Sequence, residues 1–137
     1  MTSLKMLKEV EVVNFTDRRG TLNVAEFQSI GIFETKRVYY ISNVPESDTR
    51  GSHAHKTLNQ VFFAVSGKFT LTVTDGVDVE SVELRPYDKG YFLPCGYWRD
   101  LENFTSDAVC LVLASEHYDE SDYIRSFDEY LEWAKNE

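Results

Sequence analysis

The chain is expected to be all-β, an antiparallel barrel or sandwich of the jelly-roll kind, closed by one C-terminal α-helix. Short segments rich in Val, Ile, Tyr and Phe recur between turn signals spaced roughly 8 to 12 residues apart. Within Lys68–Thr74, Phe69, Leu71 and Val73 alternate with polar residues, the period of a half-buried strand. A three- and four-residue apolar spacing appears only near the end, where Ile124, Phe127, Leu131 and Ala134 share one helical face.

Taken in order, Glu11–Phe15 and Thr21–Phe27 read as strands joined by an Asp17-Arg18-Arg19-Gly20 turn. Arg37–Asn43 follows, and the polar loop Pro45–Thr49 delivers the chain to Arg50. Gln60–Ser66 is a continuous apolar run, and Ser66-Gly67 and Asp75-Gly76 supply the turns before Lys68–Thr74 and Val79–Leu84. Gly90–Leu93, Tyr97–Phe104 and Ala108–Ala114 complete about nine strands. The helix is expected over 121–135, with Ser121 as N-cap, Asp122 and Lys135 suited to its dipole, and Tyr130 and Trp133 off the packed stripe.

A length of 137 residues predicts a single domain, 1–137, able to bury a core without disulfides. Cys95 and Cys110 are expected as reduced thiols, Cys110 inside an apolar run. No apolar run approaches the roughly 18 residues of a membrane span. The N-terminus has no signal-peptide core, so the expected location is cytoplasmic. The net charge of −9 is uneven: residues 1 to 99 carry 12 basic and 12 acidic side chains, residues 100 to 137 carry 2 and 11. No basic footprint for nucleic acid emerges, yet Arg18, Arg19, Arg37, Arg50, Lys56 and Arg99 flank the histidine-bearing segments and suit a small anion.

Those segments carry the chemistry. His53 and His55 are separated by one residue, so on a strand both rings project from one face, whereas His117, alone in a polar stretch, reads as surface. Gln60 lies five residues after His55, and Gly67 seven further on. This is the spacing of the first cupin motif, with Gln60 where Glu is usual. Gly90, Pro94, Gly96 and Asn103 echo the second motif, with Arg99 in place of its histidine. A metal-binding cupin draws on three His and a Glu, an N/O donor set for iron, manganese or zinc. An amide and a fixed cation leave two ligands, so no metal and no cofactor are expected. Two imidazoles with an unperturbed pKa of about 6.5 are instead free for proton transfer.

Taken together, Arg37-Val-Tyr39-Tyr40-Ile, Arg50-Gly-Ser-His53-Ala-His55-Lys56, Leu-Asn-Gln60-Val, Trp98-Arg99 and the run Ala114 to Arg125 resemble the cupin-type sugar 3,4-ketoisomerases. The resemblance implies that dTDP-4-keto-6-deoxyglucose is the substrate and that its carbonyl moves from C4 to C3 through an enediol. It implies His53, His55 and Tyr39 as catalytic groups, His53 carrying the carbon-bound proton and His55 with Tyr39 the oxygen-bound one. Arg19, Arg37, Arg50, Lys56, Gln60, Trp98 and Arg99 are the expected substrate-binding groups: Arg50 and Lys56 along the pyrophosphate, Arg99 near the sugar, and Trp98 or Tyr97 on the thymine. Arg19 and Arg99 are also the expected determinants of configuration at C4. Ser52 departs from the aromatic residue that often precedes this histidine. The resemblance further implies a homodimer that exchanges N-terminal strands drawn from residues 1 to 15, and it extends to members fused to an acetyltransferase domain. A nucleotide-sugar 3,5-epimerase, a non-catalytic sugar-sensing cupin and a metal-dependent dioxygenase are the competing readings; Gln60 and Arg99 argue against the last.

Overall fold

The computed structural model describes residues 4–27 and 33–137. Its strands are β1 (Lys8–Val10), β2 (Val13–Asp17), β3 (Gly20–Val24), β4 (Arg37–Ser42), β5 (Arg50–His55) and β6 (Gln60–Ser66). Then come β7 (Phe69–Thr74), β8 (Val79–Leu84), β9 (Gly90–Leu93), β10 (Trp98–Glu102), β11 (Val109–Ala114), β12 (Tyr123–Ile124) and the helix α1 (Phe127–Lys135). Among the described residues two five-stranded antiparallel sheets, ordered β1-β9-β6-β11-β4 and β12-β5-β10-β7-β8, face one another, while β2 and β3 pair only with each other. The expected jelly roll with one C-terminal helix is what forms.

The core lies between the sheets. Phe69, Leu71 and Val73 of β7 point inward against Phe62, Leu93, Phe104 and Val112, while the threonines between them are only half-buried. Alternation along one strand thus becomes burial on one side of a sheet. Cys110 is fully enclosed, and burial pushes its thiol up to about 12, which leaves it a packing residue. Met6 and Leu7 belong to the same core, and their backbone N–H groups donate to the Glu80 carboxylate at 3.0 Å. Among the described residues no helix is long and apolar enough to cross a membrane.

The C-terminal segment departs from expectation, and the departure builds the site. The helix starts at Phe127, and Ser126, not Ser121, is its N-cap, accepting from the Glu129 N–H. Residues Glu120–Asp122 form a single 3-10 turn capped by Asp119, after which Tyr123 and Ile124 pair with His55 and Ala54. Tertiary pairing of a two-residue strand overrides a helical pattern that included Ile124 by chance. The helix phase shifts accordingly. Tyr130 is fully buried against Trp98, Ala54 and Ile124, with Leu131, Trp133 and Ala134 packed around them. Its hydroxyl lies 2.9 Å from the Gly96 carbonyl and 3.2 Å from that of Thr74, tying α1 to the loop before β10 and to the end of β7. Tyr130→Phe removes this donor and is expected to lower stability by about 1–2 kcal/mol in urea unfolding; an unchanged midpoint would refute that role.

Candidate active site

A local irregularity in β5 aims its histidines. Gly51 and Ser52 have φ of +84° and +55°, and the register against β10 steps so that His53 faces Arg99 while Gly51 faces Asp100. This is a bulge, with Ser52 as the extra residue. A Cβ at position 51 would sit 3.2 Å from the Arg99 carbonyl oxygen, which explains the glycine. Past the bulge, His53 and His55 flank buried Ala54 and share a face. Their ring centroids lie 4.8 Å apart, edge to face at 86°. Tyr123 completes the cluster, 4.9 Å from His53 and 4.3 Å from His55.

The two imidazoles differ in partners. His53 Nδ1 lies 3.0 Å from the Gly51 carbonyl, which can only accept, so Nδ1 carries the hydrogen and Nε2 keeps its lone pair. Burial lowers its pKa to about 4, helped by the Arg99 charge, so the ring is neutral near pH 7. His55 is 1 % exposed, and its Nδ1 donates to Asp122 Oδ2 at 3.0 Å. Its pKa is lowered by burial, then by Arg99 and His53, while its Nε2 is buried without a partner among the described residues. Asp122 also accepts from the Thr57 amide at 2.8 Å and the Thr57 hydroxyl at 2.7 Å. Burial works to raise the Asp122 carboxyl, but these donors outweigh it and hold the group below the usual range.

Across the cavity, β6, β10 and β4 bring Gln60, Arg99 and Tyr39 into line. Arg99 donates through Nη1 to Gln60 Oε1, and Gln60 Nε2 donates to Tyr39 Oη at 2.9 Å. Burial raises the Tyr39 phenol, opposed by the Arg99 charge and the Gln60 N–H. Arg99 is 2 % exposed, has no carboxylate partner among the described residues, and is lowered to about 10 by burial.

Tyr39 and Arg99 border a cavity of about 600 Å³ whose wall also holds Arg37, Arg50, Arg125 and His53. Among the described residues no carboxylate lines it. Arg125 stacks over Tyr123 with its guanidinium 4.2 Å from the ring centroid, steadied by Glu120 at 2.8 Å. Arg37 leans on the Tyr39 ring, and its Nε is buried without a partner among the described residues. A smaller cavity of about 360 Å³ lies beyond Tyr123 and takes His55, Thr57 and Asp122 into its wall.

Of the expected site residues, the structure brings together His53, His55, Tyr39, Arg37, Arg50, Gln60 and Arg99, with His55 set behind Tyr123 and Gln60 behind Tyr39. Three lie elsewhere in this chain. Trp98 alternates away from Arg99 along β10 and packs edge-on against Phe127 at 5.2 Å, under α1. Lys56 follows His55 on the opposite side of the backbone and borders neither cavity. Arg19 sits at the tip of the β2–β3 hairpin, 80 % exposed, paired with Asp17 at 2.8 Å. Asp122, Tyr123 and Arg125 join the site without having been singled out for it. They stand in the run that carried the resemblance, but the expected helix absorbed them.

A metal ion does not suit this donor set. Two imidazole Nε2 atoms are the only donors of the right kind, too few for a tight site, and the remaining positions hold an amide and a guanidinium among the described residues. Among the described residues no three His, Cys, Asp or Glu side chains gather as ligands.

The family described as "FdtA: WxcM-like, C-terminal" matches residues 5–135. A TDP-4-oxo-6-deoxy-alpha-D-glucose-3,4-oxoisomerase from Aneurinibacillus thermoaerophilus is 37 % identical over 128 residues, covering 91 % of this chain and 92 % of its own. The chain belongs to the sugar 3,4-ketoisomerases. As a member of that family it is an isomerase with a cupin-type fold, as the sequence resemblance implied. A His-to-Asn variant of the 3,4-ketoisomerase QdtA from Thermoanaerobacterium thermosaccharolyticum, solved with TDP-4-keto-6-deoxyglucose, superposes with a TM-score of 0.89. It is 36 % identical, with 98 % of this chain and 97 % of that one covered. The TDP-quinovose 3,4-ketoisomerase WlaRB from Campylobacter jejuni is 38 % identical with a TM-score of 0.84, covering 94 % and 99 %.

Proposed function

We propose that this ketoisomerase converts TDP-4-keto-6-deoxyglucose to a TDP-3-keto-6-deoxyhexose by acid–base chemistry without a metal ion. The observation that carries the reading is a neutral imidazole, His53 with its Nε2 lone pair free, in the wall of a cavity bearing four arginines and no carboxylate among the described residues. A pyrophosphate of about two negative charges matches that wall, and guanidinium groups pair with its oxygens bidentately.

In the proposed course His53 Nε2 takes the hydrogen at C3 as a proton while Tyr39 O–H gives its proton to the C4 oxygen, leaving an enediol. The C3 hydroxyl then returns a proton to Tyr39, directly or by way of His55 Nε2, and His53 delivers its proton to C4. The sum moves one hydrogen from C3 to C4 and one from O3 to O4, so no electrons enter or leave. Arg99 and Arg37 face the negative charge that develops on the two oxygens, the placement that lowers such a barrier most. Among the described residues His55 Nε2 is an acceptor without a donor, free in this reading to relay the oxygen-bound proton.

Incubation with TDP-4-keto-6-deoxyglucose in deuterated water, read by NMR, tests this. A new C3 ketone, with either label or the original C3 hydrogen at C4, is the expected result, and it persists in excess chelator. Label at C3 and C5 beneath a retained C4 ketone indicates a 3,5-epimerase, and an unaltered substrate indicates a binding module. Turnover lost in chelator and restored by a divalent ion overturns the metal-free course.

The proposal includes a homodimer. β1 pairs with β9 of its own chain, whereas among the described residues the β2–β3 hairpin has no further strand partner, with Phe15 59 % and Leu22 61 % exposed. A lone two-stranded hairpin is marginal in water. Tyr40 and Val65 stand exposed on the outward face of the first sheet, an apolar surface suited to a second copy. In that dimer Arg19 at the hairpin tip reaches the partner's cavity. Phe15→Asp with Leu22→Asp is expected to yield a monomer by light scattering; a dimer of unaltered stability would rule out this interface.

A further inference from the structure

The hydrogen bonds behind Tyr39 permit one arrangement of hydrogens. A guanidinium only donates, so the atom of Gln60 that meets Arg99 Nη1 is the amide oxygen. The Gln60 NH₂ group, which also only donates, is therefore turned toward Tyr39, 2.9 Å from Oη. Tyr39 Oη accepts that bond, and its own hydrogen points elsewhere. Among the described residues no acceptor takes it, and Tyr39 lines the arginine-walled cavity. Gln60 itself is 1 % exposed and does not reach that wall, so it does not bind substrate directly.

We propose that Gln60 is a positioning residue: held by Arg99, it turns the Tyr39 hydroxyl hydrogen toward the substrate and steadies the phenolate that remains after donation. This rests on the proposed role of Tyr39 in moving the oxygen-bound proton. The N–H of Gln60 bonds more strongly to a phenolate than to a phenol, so the contact grows as Tyr39 gives up its proton. Burial raises the Tyr39 phenol, and Arg99 and Gln60 work against that rise without cancelling it. The departure from the usual first motif acquires a reason here. A glutamate at position 60 would pair with Arg99 equally well, but its carboxylate only accepts. It would draw the Tyr39 hydrogen to itself and away from the cavity.

A double-mutant cycle on the full chain tests this. Gln60→Glu keeps the shape and the Arg99 pairing, and Gln60→Met keeps the volume while removing the donor. Each is expected to lower kcat by about 10–100-fold with KM changed by no more than about threefold, since the contact forms in the transition state. In a Tyr39→Phe background the same changes are expected to cost no more than about threefold, because residues that act as a unit are not additive. The ¹³Cζ resonance of Tyr39, assigned by its loss in Tyr39→Phe, is expected to titrate at higher pH in both Gln60 variants. A kcat loss of equal size in both backgrounds, or a Tyr39 titration unmoved by either substitution, overturns the proposal. Should the wild-type chain leave TDP-4-keto-6-deoxyglucose unchanged while the Tyr39 titration still moves, the reading of function fails and the orientation by Gln60 stands.

Discussion

Replacing His53 by Asn is expected to lower turnover by about 10²–10⁴-fold with little change in KM, the range set by a positioned general base. Asparagine keeps much of the ring's volume and a donor for the Gly51 carbonyl, but it has no lone-pair nitrogen to take the C3 proton. Single-turnover kinetics check this, and a variant within about fivefold of wild type would remove His53 from the chemistry. The same residue sets an acid limit. Its pKa is depressed to about 4 by burial and Arg99, so the base stays free across the neutral range and the rate falls as pH drops through about 4. Stability has the same sign. The unfolded chain, near 6.5, binds the proton first, so the contribution of neutral His53 is complete above that value and declines as pH falls toward about 4.

Asp122→Asn is expected to cost about 10²–10⁴ in kcat while the chain still folds, because it reverses His55. Both Asp122 oxygens are committed as acceptors, one to the Thr57 amide and hydroxyl and the other to His55 Nδ1. An asparagine has one such oxygen. The Thr57 backbone N–H cannot turn away, so the amide oxygen stays with Thr57 and the NH₂ faces His55 Nδ1. That nitrogen must then accept, its hydrogen moves to Nε2, and the acceptor held for the relayed proton becomes a donor. A wrong tautomer behind intact geometry is known to have effects of about this size in histidine–carboxylate pairs. Nitrogen-15 shifts of the His55 ring report the tautomer directly. Retention of Nδ1–H together with full activity would refute the argument.

The strand alternation of β7, the apolar run of β6 and the His-x-His spacing of β5 were legible in the sequence because each depends on a period of two. The two shortest pieces, β1 and β12, have three and two residues, too few to show any period. Missing β12 had a large consequence. Ser121 through Ile124 fits a helical stripe by composition, and only pairing with His55 and Ala54 makes it a strand. That pairing carries Asp122 to His55 and Tyr123 across both imidazoles. The shift of helix phase likewise buried Tyr130, against Trp98, which alternation along β10 turns under α1 and away from the ligand position it was expected to fill.

By itself the order of residues determined the jelly roll, the pair of histidines on one strand face, and the loss of two ligand positions to Gln60 and Arg99, because these are matters of local spacing and side-chain type. Only the tertiary structure decided which nitrogen of each imidazole is free, that a carboxylate 67 residues away holds His55, and that Gln60 faces Tyr39 instead of the substrate. Those follow from distances between segments remote in the chain, where donors and acceptors meet only after the sheets have closed.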